Sequence, residues 1–295
     1  MDMTDRIQQA NLLVEALPYI QQFSDKIIVV KYGGHAMLDD TLRSSFARDI
    51  VLLKYVGMHP IVVHGGGPQI GATMQRMGIE STFVDGLRVT DAATMEIVDM
   101  VLGGKLNQEI VATINRHGGL AVGLSGKDAN LIQATKKYLY RQTSPDVSPE
   151  SIDIGLVGEV TAINTEIIHT LSAQGFIPVI APTGVGSQGE SYNINADTAA
   201  GDIAAALAAE KVLFLTDVDG ILDQDRKLLS SLQADVIQSL KDSGVIEGGM
   251  LPKVDACLHA VHHGVDKAHI IDGRVPHAVL LELFTNRGVG TEILR

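Results

Sequence analysis

Two lysines stand near opposite ends of this chain, and each is next to a pair of glycines. Lys31 lies in VVKYGG (29–34) and Lys253 lies in GGMLPK (248–253). Phosphate oxygens are bound by backbone N–H groups that no side chain obstructs, together with a few positive charges. Lys253 also begins a predicted helix, where the helix dipole disfavours a cation unless an anionic partner is bound. The two turns therefore predict an anion site of the kind that phosphoryl transfer needs.

A triple glycine occurs in HGGGPQIG (64–71), between an apolar strand and a predicted helix. Backbone N–H groups at the start of a helix collect anions in this setting. The segment does not match the dinucleotide fingerprint, because Ile70 stands where G-x-G-x-x-G requires its third glycine. The sequence also lacks the G-x-x-x-x-G-K-[ST] phosphate loop. A tight turn without a ligand is the alternative, and His64 is interpreted as a residue that stabilises this turn.

The segment YNINAD (192–197) carries amide and carboxylate side chains into the start of a helix. Asn193 is a candidate donor to a substrate carboxylate, and Asp197 is a candidate anchor that holds two cations in register. The alternative is a simple helix cap, since Asn195 and Asp197 are both good capping residues.

Two further loops carry charged side chains. Arg88 lies in DGLRVTD (85–91), and arginine favours two-pronged recognition of a carboxylate, although a surface ion pair is the alternative. Asp217 and Asp219 lie in TDVDGIL (216–222). Their spacing lacks the remaining ligands of a calcium-binding loop, so contact with a nucleotide is the preferred interpretation.

Composition limits the classes of protein that this chain can belong to. Of 295 residues, 45% are hydrophobic but only 4% are aromatic, which favours buried parallel strands of Val, Ile and Leu covered by helices. The net charge of −12 argues against nucleic acid or an anionic membrane as the main partner. Cys257 is the single cysteine, which excludes an internal disulfide. Because neither a basic leader nor a membrane-spanning run is evident, a cytoplasmic protein is expected.

The hydrophobic pattern alternates strands with helices in both halves of the chain. A first helix is predicted over 4–22, capped by Thr4 or Asp5 and kinked or ended by Pro18. Predicted strands cover 27–32, 60–65, 176–182, 211–218 and 268–272, with a last strand at the C-terminus, and predicted helices cover 39–57, 69–78, 196–209, 233–243 and 252–263. An exposed loop or hairpin tip is predicted at 141–153.

This order predicts an α/β protein, a three-layer αβα sandwich with a mostly parallel central sheet. We expect an N-terminal helix (1–24), an N-lobe (25–183) that binds the acceptor and forms a dimer interface, and a C-lobe (184–295) that binds the nucleotide.

The motifs, in this order, resemble those of the amino acid kinase family across essentially the whole chain. They are VVKYGGHAM, VVHGGGPQI, DGLRVTD, MVLGGKLNQEIV, VGLSGKDA, GEV, NINAD, LTDVDGIL, GGMLPKV and AHIIDGR. The resemblance implies transfer of a phosphoryl group from ATP to the γ-carboxylate of N-acetyl-L-glutamate. The product would be N-acetylglutamyl 5-phosphate, in the second step of arginine biosynthesis.

The resemblance also implies a role for each matching residue. Lys31 and Lys253 would stabilise the transferring phosphoryl group, and Asp197 would organise both lysines. The acceptor would be bound by Gly66, Gly67, Arg88 and Asn193. The nucleotide would be bound by Gly33, Gly34, Thr216, Asp217, Gly220 and Leu222. Mg²⁺ would arrive on the ATP phosphates, and no metal ligand is assigned to the protein.

The chemistry of such a transfer agrees with the residues. A γ-carboxylate has an ordinary pKa of about 4.3, so it is ionised at neutral pH and needs no general base. Two anions must instead be brought together, which requires neutralising charges and N–H donors. The acyl phosphate formed is prone to hydrolysis, so closure of the lobes over the site is expected.

A second implication concerns regulation. The arginine-inhibited branch of the family carries an N-terminal helix that interlaces dimers into a hexamer, and residues 4–22 would supply it. Its effector pocket corresponds here to Lys211, His269, Glu282 and Gly288, the last in GVGT (288–291). Glu282 would pair with the arginine side chain. The alternative is a helix that packs on its own subunit, and a nitrogen-regulatory signalling protein is a further partner that the resemblance leaves open.

Two rival functions are weighed against this interpretation. One is a kinase of another acidic amino acid, such as aspartate or glutamate, which the Arg88 and NINAD motifs disfavour. The other is a non-catalytic arginine sensor on the same fold, which would have no need of Lys31, Asp197 and Lys253. Phosphorylation assays with the three acids, with and without arginine, separate these functions.

Overall fold

The structure is a computed structural model that describes residues 2–141, 149–286 and 288–295. Its strands are β1 Ile27–Tyr32, β2 His59–His64, β3 Phe83–Val84, β4 Leu87–Arg88, β5 Ala121–Ser125, β6 Ile132–Arg141, β7 Glu150–Ile163, β8 Ile177–Ala181, β9 Thr183–Val185, β10 Ser191–Asn193, β11 Lys211–Thr216, β12 Ser231–Gln233, β13 Lys267–Asp272 and β14 Thr291–Leu294.

The α-helices are α1 Met3–Phe23, α2 Asp40–Tyr55, α3 Gly67–Arg76, α4 Ala92–Val98, α5 Asn107–Arg116, α6 Glu166–Ala173, α7 Ala196–Ala206, α8 Ala234–Asp242, α9 Leu251–His262 and α10 Ala278–Leu283. A π-helical segment, Asp99–Leu106, joins α4 to α5.

A central sheet of eight strands runs in the order β12-β14-β13-β11-β1-β2-β8-β5. Pairing is parallel throughout except between β13 and β14. Strands β8 and β11 are buried along their whole length, as expected of parallel strands covered on both faces. The predicted mostly parallel sheet is confirmed. Since β1 pairs with both β2 and β11, this one sheet passes through both predicted lobes.

Helices cover both faces of the sheet. Side chains of β1 alternate between two cores, with Ile28 and Val30 on one side and Val29 on the other. The first core includes residues of α2, α3, α5 and α10, and the second includes residues of α6, α7, α8 and α9. The predicted three-layer sandwich is therefore confirmed, and its layers follow from the two-residue period of the strands.

A small closed barrel of β6, β7, β9 and β10 stands apart from the central sheet. Its main component is the long antiparallel hairpin of β6 and β7, whose two strands were not among those predicted. The loop or hairpin tip predicted at 141–153 is partly visible, since Arg141 pairs with Glu150 at the ends of these strands. Residues 142–148 of that prediction lie outside the described residues.

The first helix differs in two details from its prediction. Asp2 caps α1, and its capping box includes Asp5, so the cap is neither Thr4 nor Asp5. Pro18 lies inside the helix and does not end it. A proline removes one backbone hydrogen bond, and packing of the helix end beyond it, at the buried Phe23, holds the last turns in place.

None of the described helices combines the length and apolar character needed to cross a membrane.

The sheet brings the two glycine turns together. In the β1–β2 register, Lys31 is opposite Val63 and Tyr32 is opposite His64. The chain leaves both strands at the same edge, where ligands bind in open parallel sheets. As a result, the turns after β1 and β2 lie side by side.

Candidate active site

Asp197 joins the two lysines that are remote in sequence. Its Oδ1 lies 3.0 Å from Lys31 Nζ, and its Oδ2 accepts a hydrogen bond of 2.8 Å from Lys253 Nζ. The Lys31 contact is ionic, since Oδ1 has no aligned donor among the described residues. Asn195 caps α7 by accepting from the backbone N–H groups of Asp197 and Thr198. The helix cap and the ion pairs are therefore both present, the cap at Asn195 and the ion pairs at Asp197.

Asp197 is only 6% exposed, yet it remains ionised. Burial acts to raise its pKa, but the charges of Lys31 and Lys253, together with the hydrogen bond from Lys253, outweigh burial and lower the pKa to about 2. Two cations share one anion, so the cluster keeps a net positive charge. Such a cluster can attract and hold phosphate oxygens.

The glycines after β2 differ in what surrounds them. A Cβ on Gly66 would lie 2.4 Å from Leu102 Cδ2 and 2.8 Å from Leu106 Cδ2, so this position cannot hold a side chain without a shift of those leucines. Gly67 has no atom within 4 Å of such a Cβ and begins α3. Neither N–H donates to another group in the described part of the chain. Two donors at a helix start are therefore available to an anion.

The glycines after β1 allow two charged side chains to approach the backbone. A Cβ on Gly33 would lie 2.7 Å from Lys31 Nζ. Gly34 has a positive φ of 70°, and a Cβ there would lie 2.4 Å from Asp217 Oδ1. Asp217 accepts a hydrogen bond of 2.6 Å from the backbone N–H of His35 and so links this turn to the end of β11.

Arg88 is 8% exposed and has no acidic partner among the described residues. Its guanidinium donates to Ser81 Oγ at 2.6 Å and to the carbonyl oxygen of Gly67 at 3.0 Å. It also lies over the ring of Phe83, 4.7 Å from the ring centre. Burial lowers the pKa of Arg88 from its high ordinary value, although arginine stays protonated in proteins. The alternative, a surface ion pair of Arg88, is not found among the described residues. The positive charge of Arg88 is therefore available to a substrate carboxylate.

Asn193 is connected to the backbone of Arg88 by hydrogen bonds through one residue, Thr90. Asn193 Nδ2 donates to Thr90 Oγ1 at 3.2 Å, and Thr90 Oγ1 donates to the carbonyl oxygen of Arg88 at 2.8 Å. The amide of Asn193 is thereby tied to the backbone of Arg88, and both residues line the same cleft.

These groups line a single cleft with a volume of about 270 Å³. The predicted site residues that it contains are Lys31, Gly33, Gly34, Gly66, Gly67, Arg88, Asn193 and Asp197. Lys253 is not among these lining residues, but it donates to Asp197, which is one of them. The arrangement offers a carboxylate site at Arg88 and an anion site at the lysines and glycine turns, within one cavity.

Four predicted nucleotide residues do not line this cleft, namely Asp217, which contacts the turn after β1, and Thr216, Gly220 and Leu222. Thr216 ends β11 and is buried, and Leu222 bridges to Leu228 in the loop that follows. Gly220 has a positive φ of 142°, and a Cβ there would lie 2.6 Å from Leu228 Cδ1. This glycine is therefore required by the fold of its own loop.

A second cavity, of about 590 Å³, contains the four residues of the predicted effector pocket. Lys211 Nζ donates to His269 Nε2 at 3.1 Å, and His269 Nδ1 donates to Glu282 Oε1 at 2.6 Å. A Cβ on Gly288 would lie 2.7 Å from Glu282 Oε2, and α1 contributes Tyr19 to the lining. Burial lowers the pKa of Lys211 and of His269. Burial acts to raise the pKa of Glu282, but the contact with His269, the backbone N–H of Val289 and the charge of Lys211 together outweigh burial, so the pKa is lowered.

Several residues that shape the cleft were not singled out from the sequence. The triple-glycine turn is crowded at Gly66 by Leu102 and Leu106, and His64 before it contacts Asn107. The ring of Phe83 lies under the guanidinium of Arg88. Leu102, Leu106 and Asn107 fall within the quoted motif MVLGGKLNQEIV, whose unusual pair of glycines inside a helical pattern was the available signal. Their contacts depend on a π-helical turn, which the 3.6-residue spacing of apolar residues in a sequence does not predict.

Comparison with known proteins agrees with the geometry. The model of the amino acid kinase family matches residues 26–272. An acetylglutamate kinase from Syntrophobacter fumaroxidans is 59% identical over 290 residues, which cover 98% of this chain and 97% of that protein. The acetylglutamate kinase of Geobacter sulfurreducens is 59% identical over 293 residues, which cover 99% of this chain and 100% of that protein.

Solved structures share the fold. N-acetylglutamate synthase from Neisseria gonorrhoeae, solved with coenzyme A and N-acetyl-glutamate, superposes with a TM-score of 0.83 at 25% identity; the match covers 97% of this chain and 63% of that one. Carbamate kinase from Giardia lamblia bound to AMP-PNP gives a TM-score of 0.62 at 18% identity, covers 92% of this chain and 98% of that chain, and supports the fold alone. On the family match and these near full-length identities, the chain belongs to the amino acid kinase family.

Proposed function

We propose that this protein is an acetylglutamate kinase, which transfers the γ-phosphoryl group of ATP to the γ-carboxylate of N-acetyl-L-glutamate in arginine biosynthesis. One observation carries the proposal on structural grounds. The buried guanidinium of Arg88, which no acidic side chain pairs among the described residues, lines the same cleft as Lys31 and Asp197, and the carboxylate of Asp197 also holds Lys253. The relatives that carry this name support it over nearly the full length of the chain.

In this proposal Arg88 and Asn193 hold the α-carboxylate of the acceptor. Arg88 has its charge unpaired by any described carboxylate, and a dicarboxylic acid offers the partner that a buried guanidinium requires. Thr90 links the side chain of Asn193 to the main-chain carbonyl oxygen of Arg88, which holds the amide on the segment that carries the guanidinium. The γ-carboxylate then extends from Arg88 towards the glycine turns.

Phosphoryl transfer takes place between the lysines and the turns in this proposal. Lys31 and Lys253 neutralise charge on the group in transfer, and the N–H groups of Gly66 and Gly67 donate to its oxygens. Asp197 holds both ammonium groups in place. A carboxylate acceptor is already ionised, so none of these residues has to remove a proton.

The nucleotide is proposed to approach from the C-terminal part of the chain, beside Gly33, Gly34 and Asp217. Thr216, Gly220 and Leu222 belong to the same edge of the sheet, and residues 184–295 would form the nucleotide lobe. The cationic cluster and free N–H groups suit phosphate oxygens, and Mg²⁺ would be carried on the nucleotide phosphates. It would supply additional charge neutralisation when bound.

Arginine is proposed to bind in the second cavity as an inhibitor. The cavity presents the buried carboxylate of Glu282, which accepts from His269 and from the backbone N–H of Val289. A guanidinium could pair with this carboxylate, while Gly288 leaves the space in front of it free of a side chain.

A hexamer, built as three dimers, is proposed to assemble through α1. Apolar residues of this helix are exposed in the single subunit, among them Ile7, Leu13, Val14 and Leu17. A two-fold pairing of such helices would cover them and link dimers into a closed ring.

Turnover with a panel of acceptors tests the proposed function. ADP formation from ATP is measured with N-acetylglutamate, glutamate and aspartate, each with and without arginine. We expect turnover with N-acetylglutamate alone, and inhibition by arginine. Preference for an unacetylated acid would replace this function with that of another acid kinase, and no turnover with any of them would favour a sensor.

A further inference from the structure

His64 ends β2 directly before the glycine turn and is 0% exposed, so it cannot touch a substrate. Both of its ring nitrogens have partners within the fold. Nδ1 lies 2.9 Å from the carbonyl oxygen of Gly65, and Nε2 lies 3.1 Å from Asn107 Nδ2. The ring is therefore held between the turn and the start of α5.

The partners determine which nitrogen carries the proton. A carbonyl oxygen only accepts, so Nδ1 is protonated and donates to Gly65. Asn107 Nδ2 also donates to the carbonyl oxygen of Val179 at 2.9 Å, which identifies it as the amide nitrogen and makes His64 Nε2 the acceptor. The imidazole is thus neutral. In agreement, burial lowers the pKa of His64 to about 4, although the bond to Gly65 acts in the opposite direction.

The bond to Gly65 has a consequence for the next N–H group. The peptide between Gly65 and Gly66 is trans, and the C=O and N–H of a trans peptide point in opposite directions. Because the imidazole holds the oxygen, the N–H of Gly66 points away from His64. Gly66 lines the cleft, and this N–H has no acceptor among the described residues.

The element behind His64 also shapes the turn. Asn107 follows the π-helical segment Asp99–Leu106, whose Leu102 and Leu106 crowd the position of a Gly66 side chain. Short π-helical segments occur frequently at functional sites. One segment therefore fixes the imidazole through Asn107 and presses the turn from the other side with two leucines.

We propose that His64 is a positioning residue for phosphoryl transfer: its neutral imidazole, oriented by Asn107, turns the Gly65–Gly66 peptide so that the Gly66 N–H faces the transferring group. The inference rests on the proposed function. It means that His64, which does not contact the substrate, sets the direction of the Gly66 N–H, one of the donors on which the reaction depends.

Two substitutions separate the two halves of the imidazole. In His64→Asn the amide nitrogen takes the place of Nδ1 and keeps the donor to Gly65, while the contact with Asn107 is lost. In His64→Gln the amide group takes the place of Nε2 and keeps the contact with Asn107, while the donor to Gly65 is lost. Each variant therefore retains one polar contact of the buried site.

Steady-state turnover of both variants is compared with that of the wild type, with thermal unfolding measured in parallel. We expect kcat of His64→Gln to fall by about 100-fold, as for loss of one donor to a developing charge, with KM for both substrates changed less than about threefold. His64→Asn should retain kcat within about tenfold of the wild type. Equal losses in the two variants, or a loss confined to KM, would overturn the inference.

The tautomer gives a test that needs no variant. With ¹⁵N-labelled histidine, the nitrogen shifts of His64 should report protonated Nδ1 and unprotonated Nε2 from pH 6 to 8. The His64 resonance is assigned by its disappearance in His64→Asn. If His64→Asn does not fold, the resonance is assigned instead by its shift in Asn107→Leu. Protonated Nε2 would overturn the inference while leaving the proposed function intact. Failure of the wild type to phosphorylate N-acetylglutamate would overturn the proposed function instead.

Discussion

Lys31 and Lys253 act on the same carboxylate although they come from opposite ends of the chain. In the proposed mechanism, each of them supplies a charge that matters most while the phosphoryl group lies between donor and acceptor. Replacing either by alanine should lower kcat by about 100-fold, corresponding to about 3 kcal/mol, and change KM for N-acetylglutamate little. Steady-state kinetics measure the split between kcat and KM.

Lys227→Ala is the matched control, because the side chain of Lys227 is 78% exposed, and it should leave both constants unchanged. Raised KM with full kcat in Lys31→Ala or Lys253→Ala would assign these lysines to binding of the ground state instead.

Arg88 is the residue that selects a dicarboxylic acceptor in this account. Arg88→Lys keeps the charge but loses the planar pair of N–H donors, so KM for N-acetylglutamate should rise by about tenfold or more with KM for ATP unchanged. Initial rates with each substrate varied in turn provide the measurement. The exposed Arg116→Lys serves as control, and a change confined to the ATP constant would remove Arg88 from the acceptor site.

Asp197 links the site to stability. Its folded pKa of about 2 lies below the ordinary value of 3.8, so the stabilisation that it provides is fully present above about pH 4. This stabilisation is lost as pH falls through about 2, and amounts to about 2 kcal/mol. Denaturant unfolding between pH 5 and 2 should therefore show a shallower acid dependence for Asp197→Asn than for the wild type.

The exposed Asp225→Asn is the control for Asp197, since its side chain is 79% exposed, and it should keep the wild-type dependence. Identical acid dependence in Asp197→Asn and the wild type would mean that the lysines do not hold Asp197 ionised.

At the scale of elements, the glycine turn after β2 allows stability and function to be separated. A methyl group on Gly66 meets Leu102 and Leu106, so Gly66→Ala should destabilise the protein by about 1–3 kcal/mol. Gly67→Ala meets no neighbour and should change stability by less than about 0.5 kcal/mol. Its methyl group enters the cleft, however, and should lower kcat/KM by on the order of 100-fold. Unfolding curves and kinetics of the two variants decide this, and a fully active Gly67→Ala would place the phosphoryl group elsewhere.

Much of the element order could be predicted from the sequence because it depends on local patterns. The apolar runs of β1, β2, β8, β11 and β13 are unmistakable, and their ends carry the glycine turns and lysines. Parallel pairing then requires the turns to meet, so the cleft could be anticipated before any coordinates.

Other parts depend on contacts that no local pattern records. Asn107 reaches His64 only because a π-helical segment adds residues to the turn before it. The capping box at Asp2 and the continuation of α1 past Pro18 depend on details of one turn and on packing at Phe23. In the β6–β7 hairpin, buried and exposed side chains alternate only weakly along each strand, so the sequence gives little sign of a two-residue period there.

For the whole molecule, α1 is the element to which the proposed hexamer gives a role. Its first turns expose apolar side chains, whereas its end is fixed by the buried Phe23 and by Tyr19. Deletion of residues 1–17 should remove the exposed part without disturbing these contacts. The truncated protein keeps the residues of α1 that line the second cavity, Tyr19, Gln22 and Phe23. It should be an active dimer with weaker inhibition by arginine, because the assembly that would couple this cavity to the active site is lost.

Light scattering and an arginine titration of the truncated protein measure both effects. Leu13→Ser provides a milder control that keeps the helix and replaces one exposed apolar side chain. A truncated protein that remains hexameric and fully sensitive to arginine would contradict both the assembly and the route of inhibition.

Identification of the product tests the central claim most directly. Hydroxylamine converts an acyl phosphate into a hydroxamate, so wild-type enzyme is incubated with ATP, Mg²⁺, N-acetylglutamate and hydroxylamine, and the products are identified by mass spectrometry. The account predicts the γ-hydroxamate of N-acetylglutamate in a one-to-one ratio with ADP, strongly reduced in Lys253→Ala. ADP formation without any hydroxamate, or a hydroxamate at the α-carboxylate, would contradict it.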